Sequence, residues 1–172
     1  LYAESLRAVT KAIEGIDGAE GGYELEWRFH YLRGLIFLGS ANEEHIEIMD
    51  LEKAESNFLM AFRYAKSESN ADAAMALVNA GWAAYCLAAE EEDTTDLSLQ
   101  RAVSHLTDAC RIEPKSATAL YNRARTLLAI GRDKEAMENL SEALQISDRF
   151  LRVLATDQAF VEHADAVGEI LT

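Results

Sequence analysis

"LLAIGRDKEAMENLSEAL", residues 127–144, decides the fold. It reads as helix, glycine, helix, with Gly131 as the stop between two apolar-periodic runs. Its second half carries a frame of Ala136, Leu140 and Ala143. The same frame stands 34 residues earlier at Ala102, Leu106 and Ala109, and again at Ala54, Phe58 and Ala61. Residues four and seven apart share one face of a helix. Small residues at the two ends let a neighbouring helix come close, and the bulky one between fills the gap. One spacing met three times therefore predicts three similar helix crossings.

Each frame follows another helical stretch. "YELEWRFHYLRGLIFLG" (23–39), "NADAAMALVNAGWAAYCLAA" (70–89) and "SATALYNRARTLLAIG" (116–131) carry Gly34, Gly81 and Ala124 near their centres. Ser116 reads as an N-cap. The first two pairs have longer connections than the third. "EEEDTTDLSLQ" (90–100) reads as an acidic loop, exposed and mobile from Glu90 to Leu97. Stretching a turn from about three to about twelve residues costs only roughly 1.2 kcal/mol of closure entropy, so such a loop is tolerated without a functional reason. "SANEEHIEIMD" (40–50) contains Ile46, Ile48 and Met49, and part of it is expected to lengthen the following helix.

The ends read as caps. Residues 2–16, with Leu6, Val9, Ile13 and Ile16, form an amphipathic helix, and "GIDGAEGG" (15–22) a flexible connection. In residues 149–172 a helical segment is followed by Asp157, the N-cap of a last helix that contains Phe160. One proline, nine glycines and long runs of Ala, Leu and Glu agree with an all-α chain.

The 34-residue spacing and the small and large positions of Leu120, Ala124, Leu127, Ala136, Leu140 and Ala143 resemble the tetratricopeptide repeat. The resemblance covers about residues 27–148 and is strongest over 117–148. It implies an α-solenoid of about three helix–turn–helix repeats: 23–66, 70–114 (closed near Pro114, where the family often has proline) and 117–148. Residues 1–22 and 149–172 cap its two ends. It also implies that the first helix of each pair lines a concave groove that binds extended peptides. The family's groove positions fall here on Tyr31, Leu35 and Leu38, on Val78, Trp82 and Tyr85, and on Thr118, Tyr121, Arg125 and Leu128. Asn79 and Asn122 stand at the family's backbone-gripping place. The rings of Trp82 and Tyr85 could equally pack against a neighbouring helix, and the two asparagines could bond across a junction between repeats. Tyr31, Asn79, Trp82, Tyr85, Tyr121, Asn122 and Arg125 are the expected groove residues. A subset of the family clamps the terminal carboxylate of chaperone tails with two Asn and several cations. The five matching places here are Tyr31, Leu35, Asn79, Thr118 and Asn122, and only Asn79 fits. An unpaired carboxylate there would be desolvated at a cost of several kcal/mol, so that ligand is excluded.

Charge narrows the partners further. The net charge is −14, with a balance of −12 over residues 1–100 and −2 over 101–172. So acidic a chain repels phosphate backbones and anionic lipid, which leaves protein or peptide as the expected partner, neutral or basic in character, and excludes nucleic acid and membrane. No apolar run approaches a membrane span and no signal peptide is present, so a cytoplasmic location is expected. Cys86 and Cys110 read as free buried thiols. The chain opens at Leu1 rather than methionine and is expected to be one module of a longer protein.

No chemistry of catalysis is legible. His30, His45, His105 and His163 are scattered, and HExxH, CxxC and glycine-rich phosphate loops are lacking. "EEHIEIMD" (43–50) reads as an acidic helix start, not a metal site. The expectation is a binding module, not an enzyme, without cofactor or metal. Two alternatives stay open: a structural or regulatory domain that packs on its own parent chain, and a homo-oligomer. An open aromatic groove would favour peptide binding, and an exposed apolar patch at an end would favour the alternatives.

Overall fold

A computed structural model describes residues 2–16, 23–40, 48–90 and 97–171. Among them the chain is all-α, without a strand. The helices are α1 (Tyr2–Ile16), α2 (Tyr23–Ser40), α3 (Ile48–Ala65), α4 (Asn70–Glu90), α5 (Leu97–Ile112), α6 (Ala117–Ala129), α7 (Asp133–Ile146), α8 (Arg149–Leu154), α9 (Gln158–Val161) and α10 (Ala164–Ile170). From α1 to α7 each helix packs chiefly on its neighbours in sequence, which makes the molecule solenoid-like. The core is correspondingly segmented. One cluster joins α6, α7 and the C-terminal helices, a second joins α4, α5 and α6, and further clusters join α2, α3 and α4. No described helix is long and apolar enough to cross a membrane.

Local sequence sets the helix ends. Ser69 Oγ accepts from Asp72 N, and Ser116 Oγ from Ala119 N, at 3.3 Å each. α5 stops at Ile112, two residues before Pro114. Gly131 closes α6 at φ 72°, with its N–H on Leu128 O and the Arg132 N–H on Leu127 O. Only glycine adopts this left-handed cap without strain. Ile48 and Met49 open α3, so part of the 40–50 stretch does extend that helix. The connection expected at 15–22 and the acidic loop expected at 90–100 are partly helix: Gly15 and Ile16 belong to α1, Glu90 to α4 and residues 97–100 to α5, while residues 17–22, 41–47 and 91–96 lie outside the described residues.

The frame lies at the helix crossings. Ala54, Phe58, Ala61, Ala102, Leu106, Ala109, Ala136, Leu140 and Ala143 all have 0% exposure. Opposite them sit the small residues of the preceding helices. A Cβ on Gly34 would stand 2.7 Å from Cε1 of Phe58, and one on Gly81 would stand 2.7 Å from Cγ of Leu106. These two crossings are close because glycine leaves the space and a large side chain takes it. In the third pair Ala124 and Leu140 share one core cluster, each at 0% exposure.

A second repeated pairing marks the same crossings. The residue before the small one is Arg33 in α2 and Arg123 in α6, and the residue before the bulky one is Asn57 in α3 and Asn139 in α7. Arg33 Nε donates to Asn57 Oδ1, and Arg123 Nη1 donates to Asn139 Oδ1 at 2.9 Å. Each asparagine amide donates back to its own helix, at Lys53 O and Glu135 O. The middle pair has Ala80 and His105 at these places. His105 Nε2 instead lies 3.0 Å from Glu55 Oε1 of α3, and Arg101 Nε donates to the same oxygen at 3.1 Å. Burial alone would raise the Glu55 carboxyl, but these two partners outweigh it and hold the group below the usual carboxylate range.

Candidate functional site

The site is built from equivalent positions of α2, α4 and α6. Three places before the central small residue stand Tyr31, Val78 and Tyr121, and two places before it stand Leu32, Asn79 and Asn122. At the α2–α4 junction Asn79 Nδ2 donates to the Tyr31 hydroxyl at 2.6 Å. The Tyr31 ring is half-buried, edge-on to Trp27 and Phe58, and burial raises its hydroxyl pKa against a smaller lowering by Asn79. Asn79 thus makes a bond across the junction between helix pairs. The corresponding pair at the α4–α6 junction is Val78 and Asn122. Valine offers no hydroxyl, and among the described residues the half-buried Asn122 amide has no such bond.

Tyr121 departs from expectation. It is 3% exposed, and no ligand reaches its ring. Phe150 stacks on it at 4.3 Å between centroids, Phe160 lies at 5.1 Å, and its hydroxyl donates to Asp157 Oδ2 at 2.8 Å. The reason is chain reversal: α8 and α9 fold back on α6 and bring two rings and a carboxylate to a tyrosine that needs both burial and an acceptor. Burial and the adjacent carboxylate both push the Tyr121 hydroxyl well up. Asp157 therefore partners the Tyr121 hydroxyl as Asn79 partners that of Tyr31, but with the direction reversed: Asn79 donates and Asp157 accepts. It also caps α9 by accepting from Ala159 N at 3.3 Å. The last helix anticipated after Asp157 is in fact two, α9 and α10, separated by a turn at 162–163.

Trp82 and Tyr85 of α4 stack on each other at 5.4 Å, one place and four places after Gly81. The Arg125 guanidinium of α6 lies over both, 4.6 Å from the Trp82 centroid and 5.1 Å from that of Tyr85. Arg125 Nε is also 3.2 Å from Asp157 Oδ2. The approach is too oblique for a hydrogen bond but close enough for an ion pair. Arg125 is one of the expected groove residues, where its charge would face a ligand. That charge is instead answered within the chain, because the cap carries Asp157 to it.

Beside this stack an open cleft of about 290 Å³ runs between α4, α6 and α9. Tyr85, Arg125, Leu128, Ala159, Glu162 and His163 line it. Sequence reading did not reach Glu162 and His163, since only the fold-back of the cap brings them there. The structure thus joins Trp82, Tyr85 and Arg125 at one place and puts Tyr31 with Asn79 at the next junction. Thr118 is taken by Arg149 of α8, whose guanidinium donates to its hydroxyl.

A different cleft, of about 380 Å³, opens at the C-terminal end. Leu151, Leu154, Phe160, Val161, Val167 and Leu171 are among its lining residues, and Leu151, Val161 and Leu171 are exposed. No group of three or more His, Cys, Asp or Glu is placed to hold a metal ion among the described residues, and residues 43–47 lie outside them. The Cys86 thiol is half-buried and burial pushes it up to about 11, which makes it a poor nucleophile. Comparison with family models, with curated proteins and with solved structures returns no match for this chain.

Proposed function

We infer that this chain is a protein-interaction module of the tetratricopeptide type that holds an extended, neutral or basic peptide segment along the first-helix face. The observation that carries the reading is the half-buried Trp82–Tyr85–Arg125 stack at the edge of an open cleft. Stacked aromatics held rigid by a cation lose little entropy when a partner covers them, and such residues dominate peptide and protein interfaces. One turn away, the Asn122 side-chain amide makes no hydrogen bond among the described residues and suits a peptide backbone. The pairing of Arg125 with Asp157 and the net charge of −14 both disfavour an acidic ligand.

The test is a peptide-library screen at low and high salt, followed by calorimetric titration of the best binder. Trp82→Ala should weaken binding by about 2 kcal/mol or more. Basic peptides should associate faster than acidic ones, with an advantage that shrinks as salt rises. Tightest binding by acidic C-terminal peptides would sink the proposal. A second reading has an observation of its own: the apolar cleft at the C-terminal end favours a domain that packs on its parent chain or on a second copy. On that reading Val161→Asp, and not Trp82→Ala, abolishes the interaction.

A further inference from the structure

The cleft beside the aromatic stack holds a carboxylate that no cation answers among the described residues. Arg125 is answered by Asp157 at 3.2 Å. Glu162 is exposed, accepts one amide hydrogen bond from Gln158 Nε2 at 3.0 Å, and has no cationic partner among the described residues. The same cleft is lined by Leu128, Ala159 and the ring of Tyr85, apolar or amphipathic surface beside Arg125, Gln158 and His163. Apolar surface beside a carboxylate that lacks a cation matches a long side chain with a methylene stem and a cationic head. We propose that this cleft is the subsite for one lysine or arginine of a bound peptide, with the stem along Leu128, Ala159 and Tyr85 and the head paired to Glu162. The assignment rests on the groove reading above and deepens it. It makes a residue of the C-terminal cap, and not of the helix pairs, the one that selects the ligand's charge. His163 lines the same cleft. Its Nδ1, 3.1 Å from Ala159 O, carries the hydrogen, and its Nε2 points toward Asp133 at 3.9 Å. It therefore does not answer Glu162.

The experiment separates this claim from the groove reading. The full chain is screened against decamers, and the best binder is then scanned with lysine and with norleucine at each position. Norleucine keeps the methylene stem and lacks the charge. At low salt one position should prefer lysine by about two- to fivefold, the range expected of a single solvent-exposed ion pair. Glu162→Gln should erase that preference at that position and leave the affinity of the norleucine peptide unchanged. The variant keeps an oxygen for the Gln158 amide on an exposed side chain, so the fold is not at stake. A lysine preference that survives Glu162→Gln would reflect the general charge of −14 and would overturn the proposal, as would the lack of any position that prefers lysine. If decamers bind, depend on Trp82 and are indifferent to Glu162, the groove stands and this subsite falls. If no decamer binds, both fall.

Discussion

Gly34 and Gly81 are the residues at which a single methyl group tests the packing. Alanine raises helix propensity by about 1 kcal/mol over glycine. At both places the new Cβ would meet a buried partner at 2.7 Å, the ring of Phe58 or the branch point of Leu106. Overpacking of that kind costs roughly 1–3 kcal/mol. The steric cost should win, so Gly34→Ala and Gly81→Ala should lower the denaturation midpoint. Gly168 of α10 meets nothing within 4 Å, and Gly168→Ala should raise it by an amount corresponding to about 0.5–1 kcal/mol. Ala136→Leu at 0% exposure should cost a similar roughly 1–3 kcal/mol, and a thermal melt identical to the parent's would refute the crossing. Glu55 gives a pH test. Its folded-state carboxyl lies below the ordinary 4.5, so between those values the unfolded chain binds more protons than the folded one. The stability it contributes is present above about 4.5 and is lost as pH falls through the lower folded value. Glu55→Gln should therefore be less stable than the parent at neutral pH, and the gap between them should close on acidification. Parallel stability curves would refute the stabilising role of His105 and Arg101 on Glu55.

At the scale of the element, the C-terminal cap depends on one side chain. Asp157 accepts from Tyr121, pairs with Arg125 and caps α9. Asp157→Ala removes all three and leaves a partly buried guanidinium unanswered, so it should cost about 3 kcal/mol. Tyr121→Phe removes one hydrogen bond and should cost about 1 kcal/mol. Hydrogen exchange should show α8–α10 opening in Asp157→Ala while α2–α5 stay protected, since the core is segmented. Uniform loss of protection would contradict the segmentation. This element also marks the limit of sequence reading. The frame at Ala136, Leu140 and Ala143 was legible because helical spacing encodes which face is buried. The cap residue Asp157 was legible as an N-cap, a local property. Its bonds to Tyr121 and Arg125 were not, because they depend on how residues 149–171 turn back over α6. For the same reason Tyr121 looked like a groove residue and is a core one. The Arg33–Asn57 and Arg123–Asn139 pairs were overlooked for a simpler cause: polar side chains carry no periodic signal, and only alignment of the helix pairs on their small and bulky residues exposes them.

For the whole molecule, the charge and the groove point the same way. The acidic balance sits in residues 1–100, and the cleft beside Trp82 and Tyr85 adds Glu162, which has no cationic partner among the described residues, where the C-terminal cap meets the helix pairs. A ligand drawn by the field would arrive at a site suited to its charge. The C-terminal apolar cleft is the competing surface; the two share α9, but only the first reaches α4 and α6 and only the second reaches α8 and α10, and residues on those helices separate them. Two-dimensional NMR of the full chain titrated with its tightest-binding decamer tests the central claim most directly. The account predicts that the indole N–H of Trp82 and the side-chain amide of Asn122 move with saturation, with the backbone amides around Tyr85 and Leu128. Shifts confined to residues around Leu151, Val161 and Leu171, with the Trp82 indole unmoved, would contradict it.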